Sequence, residues 1–344
     1  MDFSQVHFEL KYAGVQVDNQ LPLSAPINCL GIRTWRIQMI AWFILFVLIA
    51  GPALATEDTK PTFACNTHSQ LEDPKFQQIL DRLKGTVSMS GKFVCSASLV
   101  TLKGRSNSAP ALVLSAGHCS DRGSIQIPVG QKILAAPDAG EVLYRLTDGR
   151  LLTLETGNAA APRTCVEAEE IVYGTMTDAD ILLLRLTETY DQIEARTGVK
   201  PFVISQGGSV TNGTPARSPS SLFQDDRECV VEETVEKLKE HRWLWGPVMR
   251  LGLTCDLPHG QSGAPVLRLD SNEVIGVMGT ASDGNAVPCE LNNPCLVKAD
   301  GAFSPAVKDQ GYAHFVHQFY TCLDSKRNIS LDVPGCLLPK PKRP

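Results

Sequence analysis

From residue 85 onward the chain alternates short β-branched or apolar runs with turn residues; residues 92–95, 111–114, 124–127, 181–186 and 273–278 each carry such a run. Runs this short, bounded by turn formers, suit strands, and many of them in succession predict an all-β barrel or sandwich. Two stretches read differently. Residues 232–242 and 314–323 predict short helices, the second because Phe315, Phe319 and Cys322 recur at three- and four-residue spacing. Residues 206–226, rich in Gly, Ser, Pro and Asn, read as a long loop near the middle of the chain, where two barrels could be joined.

Ahead of this region lies an apolar run of another kind. Residues 39–50, MIAWFILFVLIA, follow Arg33 and Arg36 and precede Gly51-Pro52-Ala53-Leu54-Ala55, whose Ala-x-Ala ending suits a signal peptidase. The expectation is export, secreted or periplasmic, with cleavage after Ala55. The alternative is an uncleaved anchor, the one route to a membrane partner, but the run falls short of the roughly 18 residues of a spanning helix and Pro52 closes it. The chain then divides into an N-terminal extension (1–38, with Met39 as an alternative initiator), a signal core and cleavage region (39–55), a polar tether held by Cys65 (56–84), one folded domain (85–323) and a C-terminal tail (324–344) that ends basic, Pro-rich and disordered.

Composition narrows the classes. An apolar fraction of 43% supports a real core, and a net charge of -5 with scattered Lys and Arg excludes a phosphate-tracking surface and so a nucleic-acid partner. Of the eleven cysteines only Cys29 precedes the predicted cleavage point, leaving an even set that reads as a disulfide framework in an exported chain. A zinc site is the competing reading, yet there is no Cys-x-x-Cys pair, and Cys289 and Cys295 lack a partner pair at ligand spacing. No metal or other cofactor is expected.

Three segments carry the parts that acyl transfer by a serine needs: a hydroxyl activated by an imidazole, a carboxylate that fixes the imidazole tautomer, and backbone donors for an oxyanion. In Leu112-Val113-Leu114-Ser115-Ala116-Gly117-His118-Cys119 an apolar strand runs into a small-residue turn that presents a histidine. A Cys95–Cys119 bond would pin that turn against the neighbouring strand that carries Cys95. In Asp178-Ala179-Asp180-Ile181-Leu182-Leu183-Leu184 a carboxylate heads an apolar strand, and Asp180, adjoining the strand, suits a buried partner better than Asp178. In His259-Gly260-Gln261-Ser262-Gly263-Ala264-Pro265, Gly260 can turn its N–H, with that of Ser262, toward a developing oxyanion.

These segments resemble the trypsin-like, chymotrypsin-fold serine peptidases. The family's Thr-Ala-Ala-His-Cys is similar to Ser115–Cys119, its Asp-Ile-x-Leu-Leu to the run from Asp180, and its Gly-Asp-Ser-Gly-Gly-Pro to the run from Gly260, in the same order. The likeness extends from about residue 85 to 323, with Gly311-Tyr312-Ala313-His314-Phe315-Val316 resembling the final strand. It implies two six-stranded antiparallel β-barrels with a short C-terminal helix, a His118–Asp180–Ser262 triad, an oxyanion hole from Gly260 and Ser262, and a protein or peptide substrate. It sets no oligomeric state. Asp256 stands at the offset where trypsin's pocket aspartate receives Lys or Arg. Gln261 departs from the family: it replaces the aspartate that pairs with a freed amino terminus, and no Arg-Ile-Val-Gly-Gly-like junction precedes the barrels. The departure implies a site formed without that activation switch, as in the bacterial glutamyl endopeptidases. A non-catalytic homologue that binds through the same barrels is the rival reading.

Overall fold

The computed structural model describes residues 78, 81–90, 94–120, 143–146, 165–207, 210–223, 225–255, 258–284 and 287–340, all within one unit, Leu45–Pro344. The predicted signal segment, the part of the tether that holds Cys65, the run at 124–127 and Asp256 lie outside the described residues, whereas the end of the tether is described, with Leu83 buried and Arg82 paired to Asp226 and Glu228. Among the described residues no helix is long and apolar enough to cross a membrane.

The first seven strands are β1 (Thr86–Ser90), β2 (Val94–Leu102), β3 (Pro110–Ser115), β4 (Leu143–Leu146), β5 (Cys165–Val166), β6 (Ala168–Thr175) and β7 (Ile181–Thr189). Pairing runs β4–β1–β2–β3–β7–β6, and β4 also pairs β5, which is separated from β6 by Glu167 alone. Counting β5 and β6 as one interrupted strand, the ring closes with six, all antiparallel. The apolar runs are continuous because these strands are buried on both faces. On β7 the side chains of Leu182, Leu184 and Leu186 enter the first barrel's core, while Ile181 and Leu183 join a second cluster that also holds Leu267, Val274 and Val277. That alternation is the period of a strand, and it welds the barrels together.

Helix α1 (Tyr190–Thr197) follows, with a Thr189–Gln192 capping box and left-handed Gly198 at its end, and β8 (Phe202–Ile204) then pairs in parallel with β2. The chain continues through β9 (Thr214–Ser220), β10 (Asp225–Val235), β11 (Leu238–Glu240), β12 (Trp243–Trp245), β13 (Val248–Leu251), β14 (Pro265–Arg268), β15 (Val274–Ala281), β16 (Cys295–Val297), β17 (Phe303–Pro305) and β18 (Gly311–Phe315). The order β9–β10–β13–β18–β15–β14, with β14 returning to β9, closes a second six-stranded antiparallel ring. Four strands, β12–β11–β16–β17, form a separate sheet. The architecture is the chymotrypsin-like pair of barrels expected from the motifs.

Two local expectations are corrected, and a third is borne out in narrower form. Residues 232–242 are not helical: β10 and β11 run through them, because Cys229, Val231 and Val235 bury against the second barrel and strand pairing overrides the helix propensity of the Glu and Lys residues. Residues 206–226 are not one loop. They contain β9, whose Ser218 and Ser220 are fully buried and whose two prolines sit in a strand paired on both sides. The C-terminal helix is a single 3-10 turn pair, His317–Cys322, entered from β18, with Phe319 and Cys322 buried. The tail is also tied down as far as it is described: Cys322 bonds Cys336, Leu338 is buried, and the hydroxyl of Tyr173 donates to the carbonyl of Pro339 at 2.7 Å.

Candidate active site

The histidine turn is a 3-10 turn, Gly117–Cys119, at the end of β3. Gly117 is required there by space: a Cβ would stand 2.2 Å from the carbonyl of Thr175 and 3.0 Å from Asp180 Oδ1. That close approach lets Asp180, fully buried at the head of β7, accept two bonds, from the amide of His118 at 2.9 Å and on Oδ2 from His118 Nδ1 at 2.6 Å. Asp178 lies apart from this pair, in a left-handed turn bridged to Trp245. The bond Cys95–Cys119 is present and ties the turn to β2. Three more link Cys229 to Cys255, Cys289 to Cys295 and Cys322 to Cys336, and Cys165 is also in a disulfide.

The imidazole of His118 is 35% exposed and opens on the cleft, while Asp180 is sealed beneath it. Burial alone would push His118 down and Asp180 up. The attraction between them, with their hydrogen bonds, outweighs it, so His118 is held above its usual value, with help from Glu240, and Asp180 below its own, with help from His314. His314, buried on β18, is pushed down to about 4 by desolvation and stays neutral at physiological pH. Gly279 makes room for it: a Cβ there would stand 2.7 Å from His314 Nε2 and 3.7 Å from Asp180 Oδ2.

Ser262 sits on a turn shaped by Gly260 (φ +96) and Gly263 (φ +83), where a Cβ on Gly263 would meet the carbonyl of Ser96 at 2.1 Å. The amide of Ser96 donates to the carbonyl of Ser262 at 2.9 Å, and the Ser96 hydroxyl pairs with that of Ser220 at 2.8 Å and with the carbonyl of Gly260 at 3.0 Å. The amides of Gly260 and Ser262 donate to no backbone carbonyl among the described residues. Gln261 is buried and donates through Nε2 to the carbonyl of Ser218 at 3.2 Å, so β9 anchors the position where the family pattern has an aspartate.

His118 and Ser262 line one cleft between the barrels, which also has Glu240, Trp243, Trp245 and Thr280 in its walls. These four were missed in the sequence. The spacing of Trp243 and Trp245, which puts both rings on one face of a strand, was a usable signal. Cys95, His118 and Cys119 are the one cluster of possible metal donors among the described residues, but the two sulfurs are bonded to each other and offer no thiolate.

Two closed barrels with a buried carboxylate, an imidazole and a glycine-flanked serine at their junction define the chymotrypsin-like class. Residues 95–277, just over half of the chain, match the trypsin-like peptidase domain, and the chain belongs to that family. A comparison with curated proteins finds no match. Solved structures similar to this chain include the MamO protease domain of Magnetospirillum magneticum in its apo form, with 12% identity, 68% of this chain and 92% of that chain covered, and a TM-score of 0.39. Others are the protease Anisep of Arthrobacter nicotinovorans (13% identity, 67% and 88% covered, TM-score 0.36) and a Nocardiopsis protease (10%, 68% and 90%, 0.37).

Proposed function

We propose that the chain is an exported serine endopeptidase with His118, Asp180 and Ser262 as its triad. The observation that carries this reading is the 2.6 Å bond from His118 Nδ1 to buried Asp180, in a cleft that Ser262 also lines. With Nδ1 engaged by the carboxylate, Nε2 is the nitrogen left to take the proton of Ser262 as its hydroxyl attacks the scissile carbonyl. His118 returns that proton to the leaving amine, and water then hydrolyses the acyl-enzyme. The N–H groups of Gly260 and Ser262 stabilise the oxyanion, a role supported by their having no backbone partner among the described residues. The disulfides suit an oxidising compartment, which supports export.

Reaction with a fluorophosphonate probe, compared between wild type and Ser262→Ala, tests the reading and its binding-module rival together. Labelling of the wild type alone is expected; an unlabelled wild type that cleaves no peptide would overturn the proposal. The internal anchoring of Gln261 supports a site that matures without an amino-terminal ion pair. Amino-terminal sequencing of active protein that found a new Ile or Val terminus within about residues 80–95 would contradict this. Cleavage after Lys or Arg rests on the sequence offset of Asp256, and a peptide panel run on wild type and Asp256→Asn decides it.

A further inference from the structure

Glu240 takes no proton or bond in the chemistry proposed above, yet it is 4% exposed and lines the same cleft as His118 and Ser262. It ends β11, the strand that the sequence had suggested was helix. Its Oε1 accepts from the amide of Asn292 at 2.8 Å, while its buried Oε2 has no partner in full hydrogen-bond geometry, the hydroxyl of Thr280 only reaching toward it, and burial holds the carboxyl above its usual range. Beside it the rings of Trp243 and Trp245 stack at 5.9 Å and 9°. The indole N–H of Trp245 is taken by the carbonyl of Met176 at 3.1 Å, whereas that of Trp243 is buried and unpaired.

A buried carboxyl oxygen without a donor is a strong demand for one, since buried polar groups are paired almost without exception. A neutral donor would fill the lone pair and leave the charge; a cation fills both. Flat indole walls suit the aliphatic stem of Lys or Arg and attract the charged head, and the guanidinium of Arg242 already lies 5.2 Å over the Trp243 ring. We propose that Glu240, with Trp243 and Trp245, forms a second side-chain subsite that takes a Lys or Arg of the peptide substrate. In sequence it is distinct from Asp256, and in the structure Glu240 lines the cleft with His118 and Ser262. With the cleaved residue assigned to Asp256, this subsite is assigned a different residue of the peptide. This rests on the peptidase reading.

The test is an N-acetylated positional peptide library cleaved by the full wild-type chain, normalised to Ser262 sites titrated with the fluorophosphonate probe. At one position other than the cleaved residue, Lys and Arg are expected to exceed norleucine and citrulline by about 10- to 100-fold in kcat/KM. Glu240→Gln should collapse that ratio, and Glu240→Lys should turn it toward Asp and Glu. Full labelling with no basic preference beyond the cleaved residue, or a ratio that survives Glu240→Gln, overturns the subsite while leaving the triad standing. If the variants do not fold, the wild-type ratio decides. If Ser262 does not label, the peptidase reading falls, and Trp fluorescence titration with the same Lys and norleucine peptides decides the subsite, equal affinities overturning it.

Discussion

Replacing Cys95 and Cys119 by alanine tests how the histidine turn is held. The bond spans a sequence separation of 24, for which the chain-entropy relation gives about 3.5 kcal/mol of stability at 25 °C. In a domain of this size each kcal/mol moves Tm by about 2–4 °C, so the double variant should melt about 7–14 °C lower. Both cysteines are almost fully buried, and alanine keeps Cβ in place, which limits the added packing loss. The effect on catalysis is separable. Cys119 adjoins His118, and Cys95 adjoins Ser96, whose amide holds the carbonyl of Ser262, so the bond ties the imidazole turn to the strand that supports the Ser262 turn. In protein shown to be folded by circular dichroism, kcat should therefore fall further than KM rises. Calorimetric melts and active-site-titrated kinetics on the same samples read both quantities. A melting point lowered by less than about 3 °C together with an unchanged kcat would refute the argument that this bond positions the imidazole.

Asp180→Asn keeps the volume of a fully buried side chain but reverses the demand on His118 Nδ1, and should lower kcat by about 10⁴ with KM little changed, as measured by steady-state kinetics. Gly279→Ala forces a methyl group to within 2.7 Å of His314 Nε2; a stability loss of about 1–3 kcal/mol and a lower kcat are expected, with part of the stability restored in Gly279→Ala/His314→Ala, read by denaturant melts. The acid limb of kcat/KM should lie above the ordinary histidine value of 6.5, since burial lowers the His118 pKa but the attraction of Asp180 and Glu240 raises it further, and Glu240→Gln should move that limb downward. Stability runs the other way. The raised His118 contributes fully below 6.5 and loses its contribution as pH rises through its higher folded value, while the lowered Asp180 contributes above 3.8 and loses it as pH falls. Melts across this range should show wild type gaining over Asp180→Asn between those limits and losing the His118 part of that gain on the alkaline side.

What the sequence displayed was the part of the site built from local backbone geometry. Gly117 before His118, Asp180 at the head of an apolar strand and Gly260 and Gly263 around Ser262 are each demanded within a few residues of the group they position, and so leave a motif. The two barrels were legible for a related reason: strands buried on both faces, such as β3 and β7, read as unbroken apolar runs. β9 was hidden because its burial is earned by hydrogen bonds with residues far away in sequence. Ser220 pairs with Ser96, and Ser218 accepts from Gln261, so a polar, Pro-containing stretch that looks like a loop is an interior strand supporting the Ser262 turn. The hairpin of β11 and β12 was hidden by its Glu and Lys residues, whose helix propensity says nothing about β16, the strand that pairs with it. His314 and Gly279 belong together only across the β15–β18 pairing, where one residue's missing side chain is the other's space. The proposed reaction chemistry is thus concentrated in short motifs, whereas the walls of the cleft come from strands joined at long range. Glu240 follows from that division: in the sequence it is one more charge in a polar stretch, and only the pairing of β11 turns it inward with an unfilled oxygen beside the cleft.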